Sequence, residues 1–129
     1  MSDKFIVEII SPDKSILNAD ANEVTIPSYE GQMGILKDHI PLITFLRPGV
    51  IYVQNQEEKK YFVEEGTVEF SNNKLLILTS TAKDLVELDQ NFIEDLLNQS
   101  EKKLSDDNFS DKEKYLLSYK ISTLREISQ

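Results

Sequence analysis

The stretch EGQMGILKDHIPLI, residues 30–43, packs two glycines, one proline and the only histidine of the chain into fourteen residues. Its chemistry is sparse, because no serine or cysteine stands beside His39 to act as a nucleophile. A zinc site usually needs several histidine or cysteine ligands, and the chain has neither a cysteine nor a second histidine. Residues 30–43 therefore indicate a shaped backbone with a short apolar face, which suits docking better than catalysis.

The composition indicates one folded domain, with room for a small appendage. The chain has 129 residues, of which 40% are hydrophobic. No apolar run approaches the roughly 18 residues of a membrane span. The N-terminal residues 1–4 lack the pattern of a targeting segment. The absence of cysteine excludes disulfides and thiolate catalysis. We therefore expect a soluble product of the compartment that makes it.

The chain is acidic throughout. The net charge is −9, with 13 acids against 8 bases in residues 1–84 and 10 against 6 in residues 85–129. A negative field disfavours contact with phosphate backbones and with anionic lipid surfaces. We therefore expect neither nucleic-acid binding nor electrostatic adhesion to a membrane.

Apolar and polar residues alternate over the first two-thirds of the chain, which is typical of half-buried strands. The alternating segments include residues 5–9, 24–26 and 68–70. Residues 75–78 are all apolar, so we expect that strand to be buried on both faces. Turn residues separate these segments, and Asn72-Asn73 is predicted to form a two-residue hairpin turn because asparagine tolerates positive φ. Short strands and frequent turns predict an all-β sandwich or barrel.

The last third of the chain has a helical pattern and contains neither glycine nor proline. Asp89 is predicted to cap the first helix. Its apolar stripe at helical spacing consists of Leu88, Phe92, Leu96 and Leu97, extended by Ile93 and Leu104. Ser110 and Glu113 have the spacing of a capping box and predict the start of a second helix.

The apolar stripe of the second helix consists of Leu117, Ile121 and Leu124. Two helices of about 15–18 residues with a short link predict an antiparallel hairpin. Its apolar stripes are narrow, so the sequence leaves open whether the hairpin is permanently packed or docks reversibly.

The candidates for chemistry each have a simpler explanation. His39 has the chemistry of a general base, but no second catalytic group accompanies it, which favours a structural or interface role. Gly31 and Gly34 lack the third glycine of a dinucleotide loop and the Gly-Lys-Ser/Thr ending of a P-loop. Both are interpreted as glycines that permit a tight turn or a close backbone approach. No catalytic residue, cofactor or metal is predicted.

Residues 30–43 resemble the characteristic loop of the epsilon subunit of F-type ATP synthases, which is called delta in mitochondria. The resemblance extends over essentially all 129 residues. The further matching segments are FIVEIISP at 5–12, VTIP at 24–27, LRPG at 46–49, GTVE at 66–69 and LTSTA at 78–82. The resemblance implies a β-sandwich of about ten strands in residues 1–84, followed by an antiparallel two-helix hairpin in residues 85–129.

The resemblance also implies a role in the central rotor of an ion-driven ATP synthase. In this family the sandwich sits at the foot of the gamma subunit and touches the membrane-embedded ring, without doing chemistry. The resemblance implies that this subunit is peripheral, at the cytoplasmic face of the bacterial inner membrane, and that it meets the membrane only through the complex. The hairpin can change position, and in many bacteria its extended form reaches the catalytic head and suppresses ATP hydrolysis.

The resemblance carries over three sets of contact residues. The implied contact with the ring consists of Glu30, Gly31, Gln32 and Met33. The implied contact with gamma consists of His39, Ile40, Pro41 and Leu42. The candidates for an inhibitory contact with the catalytic head are Lys112, Lys114, Lys120 and Arg125. We expect Met33, Ile40 and Leu42 to supply exposed apolar area with a polar rim, as protein interfaces do.

One departure from the family bears on nucleotides. Some bacterial members bind ATP at the start of the first helix through the motif Ile/Leu-Asp-x-x-Arg-Ala, and residues 88–93 here are LDQNFI. Phe92 thus replaces the arginine and Ile93 the alanine, which removes a phosphate-binding cation. A nucleotide-sensing regulatory subunit of the same fold is the first alternative. A small β-domain enzyme centred on His39 is the second.

Overall fold

The computed structural model describes residues 3–128 and has strands first and helices last. The expectation about a targeting segment partly concerns Met1 and Ser2, which lie outside the described residues. The strands are β1 Phe5–Ile10, β2 Ser15–Ala21, β3 Glu23–Ser28, β4 Gly31–Leu36, β5 Leu42–Leu46, β6 Gly49–Gln54, β7 Glu58–Val63, β8 Gly66–Ser71, β9 Lys74–Leu78 and β10 Lys83–Asp84. A 3-10 turn at Leu85–Glu87 leads to α1, Gln90–Leu104, and α2, Asp111–Ile127.

Within residues 3–128 the ten strands form one curled sheet in the order β10-β7-β6-β3-β5-β8-β9-β1-β2, with β4 paired to β3. One half of this sheet runs from β10 to β3 and the other from β5 to β2. The two halves join where Ser28 of β3 pairs with Leu46 of β5. The neighbouring strands are antiparallel except β1 and β9, which run parallel with Ile6 opposite Lys74. The sheet therefore folds over on itself as a sandwich, and the predicted fold class is confirmed.

The alternating pattern places apolar residues inside the sandwich, as predicted. Val24 and Ile26 of β3 are fully buried, and so are Leu75 and Ile77 of β9. The expectation that β9 is buried on both faces is wrong, because Leu78 is 46% exposed. Adjacent side chains on a strand point to opposite faces, and the outer face of β9 has no covering layer in the described chain.

Left-handed backbone conformations occur at the predicted turn. Asn72 and Asn73 have φ values of 52° and 57° and join β8 to β9. These values fit the two-residue turn whose twist matches that of the paired strands, so this prediction is confirmed.

Gly49 is required for close packing rather than for a left-handed backbone, since a Cβ atom there would lie 2.5 Å from Cβ of Pro27. The β5–β6 connection can therefore approach β3 only with glycine at this position.

The helices begin at the predicted caps. The Asp89 carboxylate accepts a hydrogen bond from the Asn91 N–H at 2.7 Å. Ser110 and Glu113 form the complete capping box of α2. The predicted stripe of α1 is buried at Ile93 and partly buried at Leu88, Leu96 and Leu97, whereas Phe92 is 41% exposed.

The hairpin packs against the outer side of the sandwich through a small apolar cluster. Its buried members are Phe62 of β7, Ile93 of α1 and Leu124 of α2. Partly buried leucines and isoleucines pack around these three side chains. The hairpin is docked in this structure, and only Phe62 of the buried trio comes from the sandwich.

Candidate docking surface

The turn between β3 and β4 is held by a buried serine. The Ser28 hydroxyl donates to the carbonyl of Gly31 at 2.7 Å and accepts from the N–H of Glu30 at 3.2 Å. Gly31 has a φ of +120°, which L side chains rarely adopt, although a Cβ atom there would meet open space. Backbone conformation rather than crowding therefore requires this glycine. The turn, shaped in this way, leaves the side chain of Glu30 exposed between β3 and β4.

The first expected site set divides between two faces of β4. Gln32 is exposed, whereas Met33 is partly buried and packs against the core of the sandwich. The expectation that Met33 supplies exposed apolar area is therefore wrong. Pairing of Met33 with Ile26, a core residue of β3, fixes this orientation. Gly34 lies in mid-strand opposite Thr25, so it is not a turn glycine.

The His39 segment is tied to the β8–β9 turn by a reciprocal pair of hydrogen bonds. The N–H of Asp38 donates to Asn73 Oδ1 at 2.7 Å, and Asn73 Nδ2 donates to Asp38 Oδ1 at 2.9 Å. Asp38 itself has a φ of 67°. Asn73 is thus a structural residue of this site that the sequence reasoning identified only as a turn residue. Sequence alone gives no signal for a contact over 35 positions.

His39 is oriented by contacts that hold the loop. Its Nδ1 donates to the carbonyl oxygen of Ile40 at 2.7 Å. Its ring lies edge-on to Phe70, with 5.9 Å between ring centroids. These contacts with a carbonyl group and an aromatic ring give His39 a packing role, and they provide no pairing with a nucleophile or an acid.

The second expected site set also divides by orientation. Ile40 is 73% exposed and Pro41 is exposed, whereas His39 and Leu42 are half-buried. Leu42 packs against the core and pairs with Phe70 across β5 and β8. The expectation of exposed apolar area is therefore confirmed for Ile40 and wrong for Leu42.

Further exposed apolar side chains follow Ile40 along the chain, on β5. Ile43 is 76% exposed and Phe45 is 55% exposed. Phe45 is opposite Thr67 on β8, and Thr67 is opposite Leu78 on β9. A groove of about 610 Å³ lies over this row, with Tyr29 also on its wall. We call Ile40, Ile43, Phe45 and Leu78 the apolar face. The sequence reasoning missed most of it, although the all-apolar run of β9 was a signal.

The cations of α2 lie among acidic partners in the docked hairpin. Lys120 Nζ lies 2.6 Å from a Glu64 carboxylate oxygen at the end of β7. Lys114 pairs with Asp107 at 3.9 Å and Arg125 with Glu101 at 3.4 Å, both within the hairpin region. Lys112 is exposed. The structure therefore does not gather these cations into one basic strip.

A family model fits the sandwich. The model described as "ATP synthase, Delta/Epsilon chain, beta-sandwich domain" matches residues 4–84, which is more than half of the chain. The chain belongs to the ATP synthase delta/epsilon family. The family resemblance of residues 30–43 is thereby confirmed.

Relatives of the delta/epsilon family match over nearly the whole chain. The ATP synthase epsilon chain of Pelagibacter ubique is 43% identical over 130 residues, covering 99% of this chain and 100% of the relative. The chloroplastic epsilon chain of Pyropia yezoensis is 37% identical over 120 residues, covering 92% of this chain and 89% of the relative.

Two chains of solved structures share the fold. A chain from the mitochondrial ATP synthase of Euglena gracilis has a TM-score of 0.76 at 20% identity, covering 97% of this chain and 79% of the other. A chain from the mitochondrial ATP synthase of Tetrahymena thermophila has a TM-score of 0.70 at 18% identity, covering 96% of both. At these identities the likeness establishes the fold.

The start of α1 is where this delta/epsilon chain departs from the nucleotide-binding motif. The Asp89 carboxylate caps the helix, and the Lys83 ammonium lies 5.8 Å from the Phe92 ring centroid. A cavity of about 750 Å³ beside these residues is lined by cations and anions together, which are Lys14, Lys59, Lys83, Asp84, Glu87 and Asp89. Three cations and three anions thus share this cavity, whereas a triphosphate favours a positive field.

The acidic wall of that cavity acts on a buried phenol. Burial raises the pKa of Tyr61, and the negative charges of Asp84 and Glu87 raise it further. Tyr61 therefore stays neutral over the physiological range.

Two general features of the described delta/epsilon chain bear on its site. Among residues 3–128, no group of three or more histidine and carboxylate side chains could hold a metal ion. Neither helix in that range is long and apolar enough to cross a membrane.

Proposed function

We propose that this chain is a non-catalytic subunit of the central rotor of an ATP synthase, where it joins the membrane-embedded ring to the gamma subunit. The observation that carries the proposal is the apolar face beside the His39 loop, on a chain whose family is the delta/epsilon chains of ATP synthase. Its role is mechanical, because it transmits torque between two partners through surfaces rather than through a reaction centre.

The apolar face has the layout of a protein interface. Ile43 and Phe45 project from neighbouring outward positions of β5, and Ile40 extends the same surface toward His39. A contiguous apolar area of this kind is seldom left open on a monomer. Charged residues surround it, including Glu69 opposite Ile43 and Asp38 at the loop. Charged rims around an apolar centre are usual at protein interfaces.

In this proposal the gamma subunit covers the apolar face. Ile40 and Pro41 contact gamma directly, while His39 and Leu42 hold the segment in shape through Phe70. Ile43 and Phe45 extend the contact beyond the four residues that the family resemblance supplied. Ile43 and Phe45 share one face because alternate residues of a strand point to the same side.

The opposite contact, with the ring, uses the β3–β4 turn. Glu30 and Gln32 are exposed there, and Gly31 gives the turn its shape. Met33 supports the turn from the core side. Exposed polar groups at a turn suit the polar loops of a membrane-embedded partner. The chain then lies at the cytoplasmic face of a bacterial inner membrane, and it meets the membrane only through the complex.

The hairpin adds a regulatory role to the proposal. In an extended position, α2 would bring Lys112, Lys114, Lys120 and Arg125 to an acidic part of the catalytic head and suppress ATP hydrolysis. ATP would not control this movement by binding the chain, since Phe92 occupies the place of the arginine and the adjoining cavity has mixed charge. The nucleotide-sensing alternative is therefore disfavoured, as is an enzyme centred on His39.

Replacement of one apolar side chain by a charge tests the docking proposal. We expect Ile43→Asp to lower recovery of this chain with gamma and the ring at least tenfold when the synthase is purified. A charge forced into a desolvated interface costs about 2–5 kcal/mol of binding free energy. Its exposed position should leave the isolated chain folded, which a thermal melt checks.

Val86→Asp is the matched control, because Val86 is 92% exposed and lies in the 3-10 turn away from the apolar face. It should be recovered at the level of the unmodified chain. Equal recovery of Ile43→Asp and Val86→Asp would show that gamma does not cover the apolar face.

A further inference from the structure

The contacts between hairpin and sandwich include two cation pairings of α2, both closer than the 5.8 Å contact of Lys83 with the Phe92 ring of α1. One is the Lys120–Glu64 ion pair at 2.6 Å, and the other is Arg47 with its guanidinium carbon 3.9 Å from the Tyr119 ring centroid. Both link neighbouring residues of α2 to the sandwich. The ion pairs of Lys114 and Arg125 instead stay within residues 101–125.

The Lys120–Glu64 pair is the shortest and most shielded ion pair of α2. The Lys120 side chain is 13% exposed and that of Glu64 is 35% exposed. In the Arg125–Glu101 pair the corresponding values are 63% and 43%. Shielding from water strengthens an ion pair and reduces its screening by salt. Lys120 therefore contributes more to docking than the other α2 cations.

Arg47 provides the second contact from the β5–β6 connection. Its backbone N–H donates to the carbonyl of Pro27, which fixes the connection against β3. Its Nε is buried and has no hydrogen-bond partner in the described chain. Its Nη1 donates to the carbonyl of Pro48 at 3.4 Å, and the guanidinium lies over the Tyr119 ring. A partly desolvated cation over an aromatic ring is a favourable contact.

We propose that Glu64 and Arg47 form a two-point latch that holds α2 on the sandwich, and that the latch and the inhibitory contact compete for Lys120. The competition rests on the proposed function, whereas the latch itself does not. While docked, Lys120 is neutralised by Glu64 and is unavailable to an acidic partner. Release of the hairpin frees that cation at the moment when α2 becomes able to reach the head.

Amide hydrogen exchange of the isolated full-length chain tests the latch. An undocked hairpin of this length is marginally stable in water, so protection of buried α2 amides reports the docking equilibrium. We expect Glu64→Gln and Lys120→Gln each to lower the protection of Ile121 and Leu124 about two- to fivefold. Tyr119→Leu should act in the same direction. Protection of Val68 in the sandwich core should not change.

Glu58→Gln is the matched control for charge, because Glu58 lies on the same strand, β7, and pairs with Lys60 at 3.5 Å. It should leave the protection of Ile121 unchanged. Unchanged protection in both Glu64→Gln and Tyr119→Leu would overturn the latch.

ATP hydrolysis by the complete synthase tests the competition. Glu64→Gln and Lys120→Gln break the same ion pair, but only Glu64→Gln leaves the lysine free. We expect Glu64→Gln to hydrolyse ATP more slowly than the unmodified enzyme, and Lys120→Gln and Glu58→Gln not to do so. Equal rates for Glu64→Gln and Lys120→Gln would overturn the competition. Recovery of each variant with gamma tests the rotor role separately, since none of these residues lies on the apolar face.

Discussion

The sandwich and the hairpin contain similar apolar residues but bury very different numbers of them. One cluster of seventeen buried side chains fills the described sandwich, from Phe5 to Ile77. The hairpin cluster has three buried members, and one of these, Phe62, belongs to the sandwich. Burial of apolar surface is the dominant stabilising term in folding. We therefore expect the sandwich to support its own fold and the hairpin to depend on its docking site.

Two equally buried side chains offer the strongest test of this contrast. Phe70 in β8 and Leu124 in α2 are each 1% exposed. We expect Phe70→Ala to lower the free energy of unfolding of the sandwich by about 3–5 kcal/mol, because it leaves a cavity in a continuous core. Leu124→Ala should instead abolish the hairpin's helical signal at low denaturant and leave the sandwich transition nearly in place. Guanidinium unfolding followed by NMR at Val68 and Ile121 separates the two, and one shared, equally shifted transition would show a single cooperative unit.

Removal of the hairpin should have an intermediate effect. We expect a fragment of residues 1–86 to fold cooperatively, with a free energy of unfolding lower by about 1–3 kcal/mol. The loss arises because Phe62 is 1% exposed in the full chain and loses the cover of Ile93 and Leu124. Urea unfolding by circular dichroism measures it. A fragment without a cooperative transition would contradict the division at residues 84 and 85.

The Asn73 contact is a smaller test, and it concerns how the sandwich shapes its docking loop. Asn73→Gly keeps the left-handed backbone but removes both side-chain hydrogen bonds to Asp38. We expect a loss of about 1 kcal/mol in stability and faster amide exchange at His39. Asn72→Gly is the control, because Asn72 shares the positive φ and lies outside that hydrogen-bonded pair. Equal exchange at His39 in both variants would show that Asn73 does not hold the loop.

The smallest expected effect is that of ATP on the hairpin. Millimolar ATP should leave the melting temperature of the isolated full-length chain unchanged, because Phe92 cannot pair with phosphate and the adjacent cavity is of mixed charge. Thermal melts with and without ATP, and calorimetric titration, make the measurement. Saturable binding would favour the nucleotide-sensing alternative and would make the hairpin's position depend on a ligand.

Local features of this fold could be predicted from the sequence, because neighbouring residues determine them. The asparagine turn and the Ser110–Glu113 capping box depend on residues a few positions apart, and both predictions are confirmed. The orientation of Met33 and Leu42 could not be predicted. It depends on which face of β4 and β5 meets the core, and a shift of one residue reverses every side chain.

Contacts between distant segments explain the remaining differences. Asn73 holds Asp38 and Glu64 holds Lys120 across long stretches of chain, and no periodicity in one sequence identifies such partners. The loop carrying His39 was identified as unusual, but nothing in the sequence singled out the exposed side chains of Ile43 and Phe45. The candidate docking surface is therefore larger than the motif that indicated it.

The parallel pairing of β1 with β9 has a consequence for biosynthesis. Ile6 leaves the ribosome well before its partner Lys74, which emerges only after β2 to β8 have been made. β1 can form its hairpin with β2 early, but one edge of that hairpin stays open until β9 arrives. Pairing between residues so far apart makes folding slow. The nascent sandwich therefore closes late. Until it closes, the strand edge of β1 stays exposed and is a site that a chaperone would protect.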